Sequence, residues 1–200
     1  MAGKQEEKEE IMEKWEGKAT ARLKGVKPEQ VWTLFLDDFC SFHKWLPTID
    51  TCYQVEGING QPGAVRYCSS TTTLSDANHH HHDDGGTAKT AVLWCHEKLV
   101  SVDAAGLLRS LSYQVLDNNL GIKSLVTTIK VSPAVSTDGD DDGSGCQIQW
   151  SFVADPMEGL MTYDGFSSYI NFALQGMAEN MEKALQKSPK IDQAKSQNSK

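Results

Sequence analysis

Two residues of opposite charge lie on apolar faces of neighbouring predicted strands, and together they could hold or move a proton. In the segment GAVRYCSS, Arg66 shares a face with Cys68, because side chains alternate between the two faces of a strand. In LWCHEKLV, Glu97 shares a face with Cys95 and Leu99. A lone buried carboxylate is costly in free energy, whereas one paired with a guanidinium costs much less. A carboxylate held in this way in an apolar pocket is a workable proton shuttle.

The same pattern also fits a purely structural ion pair. The opposite face of the second strand carries Val92, Trp94 and Val100 beside His96 and Lys98, so it is partly apolar as well. Alternation alone therefore does not decide which face points inward. A cross-strand salt bridge is the competing interpretation of the two charges.

The order of the elements predicts an α+β fold. Small and apolar residues alternate with charged ones from Trp15 to Leu23, which is typical of a half-buried strand. Pro28 opens a short helix, and a second short helix or turn around 40–46 stops at Pro47. Short turns then join strands at 51–56, 63–73, 87–102, 107–116, 121–131 and 146–154, so the sheet should be antiparallel. Apolar positions spaced by three and four predict a long amphipathic helix between about 157 and 186.

We therefore predict a helix-grip fold, in which a curved antiparallel sheet of six to seven strands wraps round the long C-terminal helix. Two short helices follow the first strand. A cavity between sheet and helix is expected, since such a sheet rarely closes tightly. The domain should span 14–187, with polar loop insertions at 75–87 and 136–145. A charged extension at 1–13, expected to be disordered, and a polar tail at 188–200 flank it.

Composition excludes several classes of function. The net charge of −8 over 200 residues argues against a nucleic-acid surface, because affinity for phosphate comes from lysine and arginine. The sequence contains no run of about 18 apolar residues, so no membrane span is predicted. The N-terminal residues lack the apolar stretch of a signal peptide, so a cytoplasmic protein is expected. The five cysteines lack CxxC spacing and predict neither a disulfide framework nor a structural zinc site.

Two polar tracts raise the question of a metal site. Four adjacent histidines, His79–His82, precede two aspartates, but consecutive residues of an extended chain point in alternating directions. A flexible loop could still chelate weakly, as polyhistidine does. The acidic tract at 136–145 lacks the glutamate that ends an EF-hand loop. Both tracts are interpreted as solvated loops, and no metal or cofactor is expected.

The chain resembles the plant lachrymatory-factor-synthase-like branch of the START/Bet v 1-like superfamily, also described as polyketide cyclase/dehydrase and lipid transport proteins. The shared stretches cover roughly 14–187. They are KWEGKATARLKGVKPEQVWTLFLDDFCSFHKWLPTID, CYQVEGINGQPGAVRY, WCHEKLV, SLSY and WSFVADPMEGLMTYDGF.

The resemblance implies a site and an activity. Synthases of this branch rearrange a sulfenic acid to a thial S-oxide by moving a proton. Their essential arginine, in a motif matching AVRY, falls on Arg66, and their essential glutamate, in a motif matching EKLV, falls on Glu97. A pocket tyrosine falls on Tyr113, whereas a further one falls on Leu125, which has no hydroxyl. The implied catalytic residues are thus Arg66, Glu97 and Tyr113, and the implied partner is a small, mostly apolar ligand in the cavity.

Alternative interpretations remain open at this point. Trp32, Trp45 and Phe166 could wall the cavity or simply belong to the core. A second hypothesis for the function is a non-catalytic carrier or sensor of a lipid, hormone or metabolite, related to the abscisic acid receptors of the same superfamily. Those receptors use a Ser-Gly-Leu-Pro gate and a His-Arg-Leu latch, and the corresponding tract at 75–87 and segment DNNLG at 117–121 contain neither motif. A third hypothesis is a structural salt bridge in a protein–protein module.

Overall fold

The structure is a computed structural model, and it describes residues 13–73, 89–134, 145–157 and 159–187. The histidine-rich tract and the C-terminal tail lie outside these residues. So do the charged N-terminal extension and the acidic tract, apart from Glu13 and Gly145.

The elements follow the predicted order. Strand β1 (Trp15–Lys24) leads into helix α1 (Pro28–Asp37) and a short 3-10 helix (Phe39–Lys44). The remaining strands then run in sequence: β2 (Thr51–Glu56), β3 (Val65–Thr73), β4 (Thr90–Asp103), β5 (Arg109–Asn118), β6 (Leu125–Pro133) and β7 (Gly145–Ala154). Helix α2 (Tyr163–Lys187) ends the described chain.

The strands form one antiparallel sheet in the order β1-β7-β6-β5-β4-β3-β2. The first strand pairs with the last along its whole length, from Trp15 opposite Ala154 to Lys24 opposite Gly145. Strand β2 therefore forms the edge opposite β1. The predicted α+β helix-grip architecture is confirmed.

Two bulges bend the sheet where β4 pairs with β5. The register shifts between His96 and Glu97 and again between Leu99 and Ser101. Because a bulge kinks a strand and increases its twist, the β4–β5 pair is expected to bend near Glu97, a residue that lines the cavity described below.

Helix α2 supplies one wall of the core. Its inward stripe advances by three and four residues and consists of Phe166, Ile170, Leu174, Met177 and Met181, all buried. Full burial of one such side chain contributes about 1.5–3 kcal/mol relative to leaving it in water. The predicted start near 157 was too early, because residues 159–162 precede the helix and include a left-handed Gly159 with φ +75°.

Gly176 explains how α2 approaches the segment after the 3-10 helix. A Cβ atom at this position would lie 3.0 Å from Cγ of Pro47. The sequence marks this glycine only as a weak point of the helix. In the fold, it gives Pro47 room to pack directly on the helix backbone.

Candidate functional site

Arg66 and Glu97 lie directly opposite each other on β3 and β4 and point into the molecule. The side chain of Arg66 is 1% exposed and that of Glu97 is 12% exposed. Both Nε and Nη2 of Arg66 lie 2.8 Å from the same carboxylate oxygen, Oε2 of Glu97. Within the described chain, no hydrogen bond reaches the other oxygen, Oε1. The carboxylate is therefore held by one oxygen and keeps the other available.

The guanidinium of Arg66 is enclosed by the 3-10 helix and the sheet. Its Nη1 donates to the backbone carbonyl oxygen of Phe39 at 2.9 Å. Its central carbon lies 4.2, 4.5 and 4.6 Å from the ring centroids of Phe39, Phe42 and Tyr113. Cation–π contacts of this kind strengthen when they are removed from water. Burial, the largest single influence, would lower the pKa of Arg66, but the charge of Glu97 together with the ionisable groups of Cys68, Tyr113 and Cys52 outweighs it and raises that pKa well above its ordinary value.

A cavity of about 390 Å³ lies between the sheet and α2, a size typical of small-molecule sites. Arg66, Glu97 and Tyr113 are among its lining residues, whereas most of the others are apolar. Leu160 and Met161, from the loop before α2, also line it and are each 37% exposed, so the cavity reaches solvent there. The charge pair thus forms part of the wall of an otherwise largely apolar chamber.

Tyr113, on β5, is the third site residue that the resemblance implies, after Arg66 and Glu97. Its side chain is buried, and its neighbours across the sheet are Leu99 and Thr127. Burial, with the nearby charge of Glu97, raises the pKa of the Tyr113 phenol well above its ordinary value. The hydroxyl therefore stays protonated and can donate a hydrogen bond. The structure brings Arg66, Glu97 and Tyr113 together at one cavity.

The aromatic residues considered for the cavity wall divide into two groups. Phe166 lines the cavity. Trp32 is a buried core residue and Trp45 donates its indole N–H to Asp38 at 2.9 Å, and neither lines the cavity. Of the two interpretations left open by the sequence, the cavity wall applies to Phe166 and the core applies to Trp32. Helix α1, which carries Trp32, packs on β6 and β7.

Three cysteines beside the charge pair were missed as functional candidates. Cys52, Cys68 and Cys95 lie side by side on β2, β3 and β4, each directly opposite the next. The sulfur atoms of Cys52 and Cys68 are 3.2 Å apart, and Sγ of Cys68 lies 3.8 Å from Oε2 of Glu97. Strand alternation already placed Cys68 on the face of Arg66. The sequence interpretation considered only the spacing of the cysteines along the chain and so did not use that signal.

Metal binding and membrane insertion find no support in the described ranges. No group of three or more histidine, cysteine, aspartate or glutamate side chains is arranged to hold a metal ion among these residues. The His79–His82 run lies outside them. No helix in the described part of the chain is long and apolar enough to cross a membrane.

Comparison with known proteins identifies the family. The model of the polyketide cyclase / dehydrase and lipid transport family matches residues 14–186, so the chain belongs to that family. Its seven-stranded antiparallel sheet and C-terminal helix form the Bet v 1-like helix-grip fold.

Solved structures with the same fold are distant in sequence. Major latex-like protein 151 from Panax ginseng is 20% identical, with a TM-score of 0.55 over 85% of this chain and 97% of its own. The protein XoxI from Bacillus cereus is 17% identical, with a TM-score of 0.56 over 86% and 96% of the two chains. Ara h 8.0201 is 18% identical, with a TM-score of 0.55 over 88% and 98%. At these identities the likeness concerns the fold.

Proposed function

We propose that the protein binds a small, mostly apolar molecule in the cavity and that Glu97 moves a proton on it, as in lachrymatory-factor-synthase-like isomerisation. The observation that carries this proposal is that Arg66 holds only one of the two carboxylate oxygens of Glu97. Arg66 engages Oε2 with two nitrogens, whereas Oε1 has no hydrogen-bond partner in the described chain. A carboxylate oriented in this way can reach a ligand with its second oxygen.

The proton shift can be written without a cofactor. An alkenyl sulfenic acid, C=C–S–O–H, gives its O–H proton to Glu97, and the carboxylic acid then delivers a proton to the far alkene carbon. The C=C bond becomes C–C while the C–S bond becomes C=S, which gives a thial S-oxide with the same atoms. Arg66 positions the carboxylate, since its Nε, Nη1 and Nη2 are already occupied by Glu97 and Phe39. Tyr113 would donate to the sulfur-bound oxygen as charge develops on it.

One observation favours a second candidate, a non-catalytic carrier of the same kind of ligand. Leu125 lines the cavity at the position where the resemblance implies another tyrosine hydroxyl. An apolar residue there removes a hydrogen bond that would hold the substrate's oxygen. In a carrier, Oε1 of Glu97 would accept a hydrogen bond from the ligand and no proton would be transferred.

Glu97→Gln distinguishes the two candidates, because the amide keeps the shape of the side chain but cannot shuttle a proton. Cavity occupancy would be followed by the binding of the neutral fluorescent probe N-phenyl-1-naphthylamine. Activity would be followed as thial S-oxide formed from a sulfenic acid released in situ from an alkenyl cysteine sulfoxide. Glu56→Gln, at an exposed glutamate on the edge strand β2, is the matched control.

The expected result for an enzyme is that Glu97→Gln loses most of the thial S-oxide formation while probe affinity changes little and Glu56→Gln behaves as the unmodified protein. If the unmodified protein binds the probe but never forms product above the spontaneous rate, the carrier is the correct function. Full activity in Glu97→Gln would contradict the proposed proton transfer.

A further inference from the structure

A pair of thiols adjoins the charge pair, and the proposed proton shift makes no use of it. Cys52 and Cys68 are directly opposite residues of β2 and β3, with their sulfur atoms 3.2 Å apart. Cys68 donates its S–H toward Cys52 and also lies 3.8 Å from Oε2 of Glu97. Cys68 therefore has two groups within reach that can accept its proton.

The two thiols differ in their access to the cavity. Cys68 is one of the lining residues, whereas Cys52 lies behind it, with Sγ 3.9 Å from the carbonyl oxygen of Phe39. A molecule in the cavity would thus meet Cys68 first. Cys52 could react only after Cys68 has bonded to a sulfur of that molecule, and it would then attack Sγ of Cys68. This is the arrangement of an attacking thiol and a resolving thiol.

The ionisation of the pair sets it apart from other buried cysteines. Hydrogen bonding from Cys68, assisted by the charge of Arg66, lowers the pKa of Cys52 to about 6. The hydrogen bond to Cys52 and burial raise the pKa of Cys68. Burial raises the pKa of Cys40 to about 11 and that of Cys146 to about 12. One negative charge shared by the pair is therefore accessible near neutral pH, whereas an isolated buried thiol stays protonated.

The strand geometry permits the two sulfurs to bond. Directly opposite residues of antiparallel strands have Cα atoms about 4.5–5.5 Å apart, which lies within the range that a disulfide bridges. From the observed separation of 3.2 Å, the sulfurs need to approach by only about 1 Å to reach a bond length of about 2.05 Å. Small side-chain rotations, without a shift of register, supply that movement.

We propose that Cys52 and Cys68 form a two-thiol site that reduces a small apolar compound carrying a two-electron-oxidised sulfur, R–S–X, bound in the cavity. The inference is independent of the isomerisation proposed above, because neither thiol takes part in that proton shift. Its substrate class is defined by the site: the compound must fit an apolar chamber and present a sulfur to Cys68.

The reaction balances with the protein's own thiols as the reductant. Sγ of Cys68 attacks the sulfur of R–S–X, the new S–S bond forms, and X leaves with the proton that Cys68 gives up. Sγ of Cys52 then attacks Sγ of Cys68, which forms the Cys52–Cys68 disulfide and releases R–SH. The sum is two thiols plus R–S–X giving one disulfide, R–SH and HX, with two electrons passed to the substrate. An external dithiol restores the starting state.

The test uses 4,4′-dithiodipyridine, a small neutral aromatic disulfide whose leaving group, 4-thiopyridone, is coloured. We expect the unmodified protein to release two thiopyridones in one rapid phase, one from attack by Cys68 and one from resolution by Cys52. The product should carry no pyridylthio group and should weigh less by two hydrogen atoms. After acid quenching and trypsin, the peptides ending at Arg66 and at Lys89 should be joined, and dithiothreitol should separate them.

Single substitutions assign the roles. Cys52→Ser should release one thiopyridone and keep a pyridylthio group on Cys68, whereas Cys68→Ser should lose the rapid phase. Cys146→Ser is the matched control, because Cys146 is buried on β7, does not line the cavity and has its pKa raised to about 12 by burial, and this variant should react as the unmodified protein does.

The peptide map of the unmodified protein decides the question even where a variant folds poorly. A stable pyridylthio adduct on Cys68, a bridge to the peptide that contains Cys95, or no rapid phase at all would each overturn the proposal. So would a Cys52→Ser protein that still releases two thiopyridones rapidly.

Discussion

Replacing Arg66 by methionine tests the physical basis of the site, namely that the guanidinium stabilises an otherwise buried carboxylate. Methionine keeps an unbranched apolar stem of similar length, so the three aromatic rings retain a packing partner. What is lost is the charge, the two contacts to Glu97 and the hydrogen bond to the carbonyl of Phe39.

The expected loss of unfolding free energy is about 3–4 kcal/mol. Removing one partner of a buried ion pair costs about 3–5 kcal/mol, because an uncompensated charge remains. A Coulomb estimate for charge centres about 4 Å apart agrees, at about 4 kcal/mol for an effective dielectric constant of about 20. Glu97 is 12% exposed beside a cavity that reaches solvent, so water offsets part of the penalty. The unpaired carbonyl of Phe39 adds about 1 kcal/mol.

Urea unfolding followed by tryptophan fluorescence would measure the loss within a double-mutant cycle. Glu97→Met should cost more than Arg66→Met, because it strands the guanidinium, the more deeply buried charge. The double variant Arg66→Met/Glu97→Met should be more stable than either single variant by about 2 kcal/mol, since no unpaired charge remains. The reasoning is refuted if Arg66→Met loses less than about 1 kcal/mol or if the double variant is no more stable than the singles.

Three further outcomes follow from the contacts and charges described. The rate of the rapid thiol reaction should rise with pH and level off above about 6, the pKa of Cys52, because ionised Cys52 can accept the proton of the attacking Cys68. An ordinary thiol would keep accelerating to about 8.5, and stopped-flow absorbance across this range checks the difference. Gly60→Ala should lower the free energy of unfolding by about 3 kcal/mol, because a Cβ there would lie 2.7 Å from the carbonyl oxygen of Leu36. Gly25 has a similar positive φ but open space around it, so Gly25→Ala should cost only about 1 kcal/mol. Equal urea midpoints for the two variants would contradict this. Met177→Ala should lower the free energy of unfolding by about 2–5 kcal/mol, because this side chain is fully buried on α2. A loss below about 1 kcal/mol in the same assay would contradict this and would show that neighbouring side chains fill the space left by the substitution.

The fold could be predicted from the sequence because its determinants are local. Alternation along Trp15–Lys24 and the three-and-four spacing on α2 each define one element without reference to the others. Short connections then require antiparallel neighbours. Local patterns do not contain the pairing of β1 with β7, which joins residues more than a hundred positions apart, and the sequence interpretation did not specify it.

The site was predictable only in part, for three physical reasons. Alternation put Arg66 and Glu97 on apolar faces of neighbouring strands, but only the curvature of the sheet decides that this face is the inner one. The carbonyl of Phe39 and the rings around the guanidinium come from the 3-10 helix as well as from the sheet, and a strand pattern carries no information about them. Cys52 and Cys68 become neighbours through strand register, which composition does not reveal.

The unequal burial of the ion pair determines what kind of ligand the cavity favours. The nitrogens of Arg66 already donate to the carboxylate of Glu97 and the carbonyl oxygen of Phe39, so the positive charge is compensated within the protein rather than by a ligand. Glu97 is the more exposed of the two side chains, at 12% against 1%, and its second oxygen can serve as an acceptor. An anionic head group would therefore meet like charge in a largely apolar enclosure, where such repulsion is poorly screened. A neutral molecule with one hydroxyl or N–H donor meets an acceptor instead, and the same donor proton is the one that a carboxylate is able to remove.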